Sequence, residues 1–367
     1  MNNNNSTSKT TLYPRVSVCT PTFNRRPFIP YLIKCFEHQT YPKEKIEWII
    51  IDDGTDKVED LFLPLTESKL YNSDQKYIVK YFKYDKKMTL GKKRNLAHDK
   101  CTGDIIIYMD DDDYYPPERI THAVETLQNN PNALCAGSSL MYIYFKHITK
   151  MYKFGPYGPN HSTAATFAFR KELLKETGYD DAACLAEEKK FLKNYTIPFV
   201  QLEPMKSILV FSHNHNSFDK KILLNDLPNQ YVNKSNVKVE EFVKEKDIMQ
   251  FFMYDIDNLL DLYEPGKPEH KPDVVKQMNE IKEKREKIIK EQNKKIKINA
   301  NFLNSNFNTN GSDNINTNKV NEITMLLNEV LMENNQLKDK VKYLEEKIKK
   351  IIIQQIEERK KFNSNLN

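Results

Sequence analysis

A chain of 367 residues and 43.3 kDa has room for two domains, or for one large domain with an appendage. Its 56 Lys and Arg against 51 Asp and Glu leave a net charge of +5, too dilute to mark the whole molecule as a nucleic-acid binder, which needs a concentrated basic face. Hydrophobic residues at 39% can build a core, whereas a mean hydropathy of −0.70 requires long polar segments beside it.

Residues 1–14 are rich in Asn, Ser and Thr and read as a disordered tail, with no apolar stretch of the kind a leader carries. From Arg15 the pattern alternates. Strands are predicted at Val16 to Cys19, Glu47 to Ile51, Tyr77 to Tyr84 and Asp104 to Met109, with helices at Phe28 to His38, after Asp56, and at Leu90 to Lys100. Strands that are apolar throughout and separated by helices point to a parallel sheet covered on both faces. A helix from Pro116 to Gln128 follows, then strands near Leu140 to Phe145 and Ala165 to Phe169. Helices at Lys171 to Thr177 and Leu185 to Asn194 come next, and strands near Pro198 to Leu202 and Ser207 to Phe211. The predicted fold class is α/β.

The composition changes after Pro272. Residues 271–298 form a basic helix with ten Lys and Arg against five Asp and Glu, and residues 299–319 an Asn-rich linker. In residues 320–361, apolar positions at Val320, Ile323, Leu327, Val330, Leu337, Val341, Leu344, Ile348 and Ile351 keep a 3,4 spacing interrupted by Asn334. That is a coiled-coil seam, and a parallel homodimer is expected from it. The five cysteines are scattered and include no CxxC pair, so neither a disulfide framework nor a zinc knuckle is expected. No run approaches the roughly 20 apolar residues of a membrane helix. A soluble, cytoplasmic protein is the expectation.

Asp110-Asp111-Asp112-Asp113 follows the apolar run Ile105 to Met109. Carboxylates crowded at a strand end repel one another, so they call for protonation or a divalent cation, and hard oxygen ligands suit Mg²⁺ or Mn²⁺. A solvated acidic loop is the simpler reading of such a run alone. Two further polar groups fall at strand ends, Thr20 to Arg25 after the first strand and Asp52-Asp53-Gly54-Thr55 after the second. In an open parallel sheet, ligands bind outside the carboxyl ends of the strands. Gly91-Lys92-Lys93-Arg94-Asn95 opens the helix before the acidic strand, where cations and backbone N–H groups can face an anion. Neither GxxxxGK[ST] nor GxGxxG occurs, which removes P-loop and dinucleotide sites.

Together these residues resemble the inverting family 2 glycosyltransferases of the GT-A fold, over about residues 15–220. The family's opening motif stands as Pro21-Thr22-Phe23-Asn24-Arg25, its uracil- and ribose-reading acids as Asp52-Asp53, its central-helix pair as Arg94-Asn95 and its DxD as Asp110-Asp111-Asp112. The resemblance implies a domain over residues 15–265. It also implies a donor site of Pro21, Thr22, Asn24, Arg25, Asp52, Asp53, Lys92, Arg94, Asp110 and Asp111. Asp112 with Asp113 would hold Mn²⁺ or Mg²⁺, and His213, preferred over His215, would approach it from Ser212-His213-Asn214-His215-Asn216. Gly178-Tyr179-Asp180 and Ala186-Glu187-Glu188 look like the segments that carry the general base, with Glu where the family has Asp. Glu188 and Glu187 both remain candidates.

The implied reaction moves a sugar from a nucleotide diphosphate sugar, UDP-linked by expectation, to an acceptor hydroxyl of a glycan, protein or small molecule. Trp48 is the only tryptophan, so the Gln-x-x-Arg-Trp motif of processive synthases is absent and single additions are expected. Donor selectivity is expected to come from the loop at residues 155–162. Two alternatives have other chemistry: an inactive transferase-like head on a coiled-coil scaffold, and a metal-dependent nuclease using residues 271–297 to hold nucleic acid. UDP release across sugar donors separates the three.

Overall fold

Apolar residues without alternation make strands that need cover on both faces. The computed structural model, which describes residues 13–66, 78–225, 229–284, 286–287 and 290–291, buries every residue of β1 (Val16–Thr22), β2 (Ile46–Asp52) and β4 (Ile105–Tyr108). With β3 (Ile78–Lys83) they form the parallel part of a seven-stranded sheet. Beyond β4 the sheet continues through β8 (Ala168–Arg170), antiparallel to both its neighbours, then β5 (Cys135–Gly137) and β9 (Phe199–Gln201), in the order β3-β2-β1-β4-β8-β5-β9. A second sheet of four strands has the order β10-β6-β7-β11, from β6 (Met141–Phe145), β7 (Lys150–Phe154), β10 (Leu209–Ser212) and β11 (Val232–Lys234). The α/β class and mainly parallel sheet expected from the sequence are the ones found.

Helices α1 (Ile29–Glu37), α2 (Glu59–Thr66), α3 (Leu90–Lys100) and α4 (Arg119–Asn129) cover the main sheet. In α4 the buried Ile120, Ala123, Val124 and Leu127 recur at helical spacing and form its inner stripe. On one face of the sheet Trp48 stacks on Phe36 with centroids 4.1 Å apart and meets Phe62 edge-on at 5.2 Å. On the other, Tyr179 stacks on Phe191 at 4.5 Å, next to Tyr108 and Phe169. Between these layers runs one buried polar chain: Trp48 Nε1 donates to Thr20 Oγ1 at 2.9 Å, and Thr20 Oγ1 donates to the Met109 carbonyl at 2.7 Å. It ties β2, β1 and the end of β4 together directly before Asp110.

The second half departs from the sequence reading in detail. The predicted helix Lys171 to Thr177 is a 3-10 helix, Lys171–Lys175, and the predicted helix Leu185 to Asn194 shrinks to one turn, α5 (Glu188–Phe191). The cause is local: Ala186 before it and Lys193, Asn194 and Tyr195 after it all take left-handed φ, 53° and 48°, 57° and 64°, which interrupts a right-handed helix on both sides. Strand β7 was not anticipated, because its hairpin turns at Thr149 (φ 50°), where glycine or asparagine is the usual signal.

The chain divides into a unit ending at Glu283 and another beginning at Lys284. Residues 272–284 are helical, and Lys271 and Val274 are buried in the first unit, which takes the start of the predicted basic helix into that domain. Residues 1–12 of the tail, the rest of that helix apart from four positions, the linker and the heptads lie outside the described residues. Among those described, no helix is long and apolar enough to cross a membrane.

Removing the Thr20 hydroxyl leaves Trp48 Nε1 and the Met109 carbonyl without this partner in the interior. Thr20→Val, nearly the same shape, is expected to destabilise the fold by roughly 1–3 kcal/mol, read from urea unfolding.

Candidate active site

The carboxyl ends of β1, β2 and β4 carry the polar loops, and each acid there has a distinct role in the geometry. Asp52 is fully buried and holds its own loop: it accepts from Gly54 N at 2.8 Å and Val58 N at 3.1 Å, and from the Tyr81 hydroxyl. Asp53 accepts from Met88 N at 2.5 Å and pairs with Lys93 Nζ at 2.9 Å, and that ammonium also donates to the Thr22 carbonyl at 3.3 Å. Asn24 sits at φ 52°, a conformation its short polar side chain tolerates. Its amide joins three loops, donating to Thr55 Oγ1 at 3.1 Å and the Pro265 carbonyl at 2.8 Å and accepting from Asp56 N at 3.0 Å.

Helix α3 starts under Thr89, whose Oγ1 accepts from Lys92 N at 3.3 Å. Gly91 is required there: a Cβ would come within 2.0 Å of the Asp180 carbonyl oxygen. The helix then divides its cations. Lys92 points outward to Asp181, 2.9 Å away, with 43% of its side chain exposed; Lys93 turns inward to Asp53. Arg94 is buried, lies over the Tyr108 ring at 4.3 Å, and bridges Asp110 at 3.3 Å and Glu187 at 3.1 Å.

The acidic run is buried at Asp111 and Asp113 and nearly so at Asp112. The Arg25 guanidinium lies between two of these acids, 3.5 Å from Asp111 Oδ1 and 3.3 Å from Asp112 Oδ2. Burial would raise Asp112, but His213, with Nε2 3.4 Å away, and Arg25 overcome it and hold the carboxyl well below its usual range. Burial pushes Asp111 up to about 6 against the pull of Arg25. Burial and then the neighbouring acids push Asp113 well above the carboxylate range, and its Oδ1 is buried without a hydrogen-bond partner. The His213 ring packs on Phe28, centroids 4.8 Å apart, and burial lowers it to about 3. His215 is buried against Tyr263 and does not reach the acids by any contact among the described residues.

These groups line an open crevice of about 290 Å³. Pro21, Arg25, Asp110, Asp111, Asp112 and Asp113 line it. So do Lys93, from the motif that opens α3, and three lysines the sequence reading did not assign to the site, Lys87, Lys220 and Lys271. Thr22, Asn24, Asp52 and Arg94 support its walls from behind. Lys271 is buried, donates to Ser217 Oγ at 3.0 Å, and is drawn down to about 6 by burial and the nearby Arg25 charge. The segment that carries it is tied down on both sides: Gly266 O accepts from Arg25, Asp273 pairs with Lys87, and Gln277 Oε1 accepts from Cys184 N and Leu185 N at 2.8 and 2.7 Å. No motif spacing marks Lys271; only its position beside Pro272, at the edge of a basic run, sets it apart in the sequence.

Neither glutamate lines the crevice wall, although Leu185, just before them, does. Glu187 is committed to Arg94. Burial and then the Glu187 charge raise Glu188 to about 7. Among the described residues, no group of three or more His, Cys, Asp and Glu side chains is gathered as a metal site. The acids instead face a ring of cations.

The crevice at the strand ends thus sets carboxyl groups beside lysines and an arginine. Residues 17–192 match the model of Glycosyl transferase family 2. Among curated proteins, the chain is 29% identical over 130 residues to a glucosyl-dolichyl phosphate glucuronosyltransferase of Haloferax volcanii, covering 34% of this chain and 37% of that protein. It is 24% identical over 117 residues to an uncharacterized glycosyltransferase of Haemophilus influenzae, covering 32% and 36%. The chain thus spans little more than a third of the length of these relatives. Among solved structures, the mannosyltransferase PcManGT of Pyrobaculum calidifontis, in complex with GDP-Man and Mn²⁺, aligns with a TM-score of 0.43 at 18% identity, over 54% of this chain and 57% of that one. Residues 1–349 of S. aureus TarS, in complex with UDP, align with a TM-score of 0.40 at 19% identity, over 55% and 61%.

Among the described residues, Arg94 is the one guanidinium paired with Asp110 and Glu187. Arg94→Met leaves two acids facing each other in the interior and is expected to cost about 3–5 kcal/mol, measured by urea unfolding at pH 7.

Proposed function

We propose that the chain is a metal-dependent, inverting glycosyltransferase that moves a sugar from a nucleotide diphosphate sugar, UDP-linked, to an acceptor hydroxyl one unit at a time. The observation that carries this reading is the crevice itself, in which four carboxylates at the end of β4 face Arg25, Lys93, Lys220 and Lys271. A diphosphate carried by a divalent cation satisfies both sets at once.

The residues fit such a cation. Asp113 Oδ1 is buried and unpartnered, and Asp112 stands beside it. Mg²⁺ and Mn²⁺ are commonly held by one or two carboxylates together with substrate phosphates and water, not by a full protein cage. Asp112 and Asp113 would hold the ion, with His213 steadying Asp112. When bound, it would supply Lewis-acid neutralisation of the leaving phosphate. Lys93 adds positive charge to the same wall, and Lys271, drawn down to about 6 in the free protein, would be held protonated by a bound diphosphate; Asp110 stays oriented by Arg94, and Asp53 keeps Lys93 aimed inward.

Glu188 is the better placed of the two candidate bases. Glu187 is tied to a guanidinium, whereas Glu188 carries a carboxyl titrating near the working pH, as a general base should. The groups acting on Glu188 are Glu187, Arg94 and Tyr195. Because the base acts ionised, kcat/KM should rise with pH up to about 7 and then level. Glu188→Gln should lower turnover by about 10² or more, remove that acidic limb, and leave UDP affinity unchanged. Loss of turnover in Glu187→Gln without loss in Glu188→Gln would contradict the assignment.

Donor binding is tested by melting temperature. UDP should stabilise the protein only when Mn²⁺ or Mg²⁺ is present. Asp112→Ala should remove the shift, and Lys271→Met should weaken UDP binding by roughly tenfold through loss of a charge-assisted contact. A full shift in Asp112→Ala would remove it from the metal site. The heptads of residues 320–361 support a parallel homodimer, which light scattering of the whole chain beside one ending at Lys297 would test.

A further inference from the structure

The loop at residues 155–162, expected to shape donor selectivity, is absent from the lining of the acidic crevice up to Ser162. Its residues Pro156 to Pro159 line a second hollow of about 520 Å³ with Ser139, Gln201 and Tyr231. Leu140 lines this hollow, and the next residue, Met141, lines the crevice.

One wall of the hollow is aromatic and exposed. Tyr157 and Tyr231 are 42% and 38% exposed, with ring centroids 5.2 Å apart. The row continues from Tyr157 to His161 at 4.8 Å and from His161 to Tyr195 at 5.1 Å. Tyr195 lies within the field of the Glu188 carboxylate, which, after burial, raises its hydroxyl pKa. The row thus runs from the exposed Tyr231 ring to the turn that directly follows α5, the helix that Glu188 begins.

The loop that carries Tyr157 and His161 is held by a set of hydrogen bonds. Gly155 takes φ +96°, and a Cβ there would meet the Ser139 carbonyl oxygen at 2.1 Å. Ser139 Oγ accepts from Tyr157 N at 2.8 Å and Gly158 N at 3.2 Å. Gln201 pins the loop, accepting from Ser139 N at 2.8 Å and donating to the Pro159 and His161 carbonyls at 2.7 and 3.0 Å. At the far end, Tyr195 closes a run of three left-handed residues. Non-glycine residues adopt that conformation at a cost in energy, and such outliers concentrate where a side chain must be held for a ligand. Within the row, His161 Nδ1 is buried without a hydrogen-bond partner.

Rigid aromatic rings left exposed beside a hollow need a ligand with apolar faces and a polar rim. A pyranose has this shape: C–H groups on its faces, hydroxyls around its edge. We propose that the Tyr231–Tyr157–His161–Tyr195 row is the track for a carbohydrate acceptor, stacking successive sugar rings and delivering a terminal hydroxyl toward Glu188. The inference rests on the transferase reading of the crevice, which it extends to the acceptor class.

The test uses the full chain and three unbranched probes, cellotetraose, chitotetraose and mannotetraose, followed by saturation-transfer difference NMR. At least one probe should receive saturation, strongest at its ring C–H protons. The Tyr157→Ala/Tyr231→Ala pair should weaken that binding by tenfold or more, and the Tyr157→Phe/Tyr231→Phe pair should retain it, since stacking needs the ring and not the hydroxyl. The metal-dependent UDP shift in melting temperature should be the same in all three proteins. No signal from any probe on the unaltered chain, or an undiminished signal in the Ala pair, overturns the track. So does a fall in light-scattering mass in the Ala pair, which would make the hollow a contact between copies. UDP stabilisation without a glycan signal fails this inference and leaves the transferase reading standing; a glycan signal without UDP stabilisation fails the transferase reading.

Discussion

Asp110 to Asp113 set four carboxyl groups one after another at the buried end of β4, where water cannot separate their charges. Mutual repulsion in a low-dielectric site favours protonation or a nearby cation. Arg94 meets Asp110, Arg25 meets Asp111 and Asp112, and Asp113 is left with an unpartnered oxygen and a pKa driven upward. Those partners come from the β1 loop and from α3, while Lys220 and Lys271 reach the same crevice from far along the chain. The charge balance of the site thus draws on residues from Arg25 to Lys271 within one unit.

A strained electrostatic arrangement needs a stiff base. The Trp48–Thr20–Met109 chain fixes the end of β4 against β1 and β2 within the apolar core. Asp52 and Asp53 take the next step outward, one closing its own turn and the other turning Lys93 toward the crevice. Helix α3 serves both sides: Arg94 crosses behind Asp110 to Glu187 and so couples the acidic run to the segment of the candidate base. That coupling separates the two glutamates, one paired with a guanidinium and the other raised by burial to about 7.

The first half of the fold was legible because its strands are uniformly apolar and its helices have periodic faces, as in Ile105–Tyr108 and Arg119–Asn129. The polar loops after β1, β2 and β4 could therefore be assigned to one edge of the sheet before any coordinates. The remainder depended on backbone conformations that a residue name does not announce. Left-handed Ala186 and Lys193 to Tyr195 cut a predicted helix to one turn, and left-handed Thr149 makes a hairpin without glycine. Adjacent lysines at 92 and 93 are alike in sequence, yet α3 turns Lys93 inward to Asp53 and Lys92 outward to Asp181. Lys271 falls at the start of the predicted basic helix, and nothing in that pattern marks its burial, which distant residues such as Ser217 and Arg25 create.

The central claim is that the crevice releases a nucleotide diphosphate from a sugar donor, with a divalent cation. UDP and GDP release should be measured over a set of nucleotide sugars, with Mn²⁺ and again with the cation chelated, using the full chain. The account predicts release from one donor or a narrow group, greatest with UDP-linked sugars, and its loss on chelation. Release that persists undiminished after chelation, or none from any donor with Mn²⁺, would contradict it.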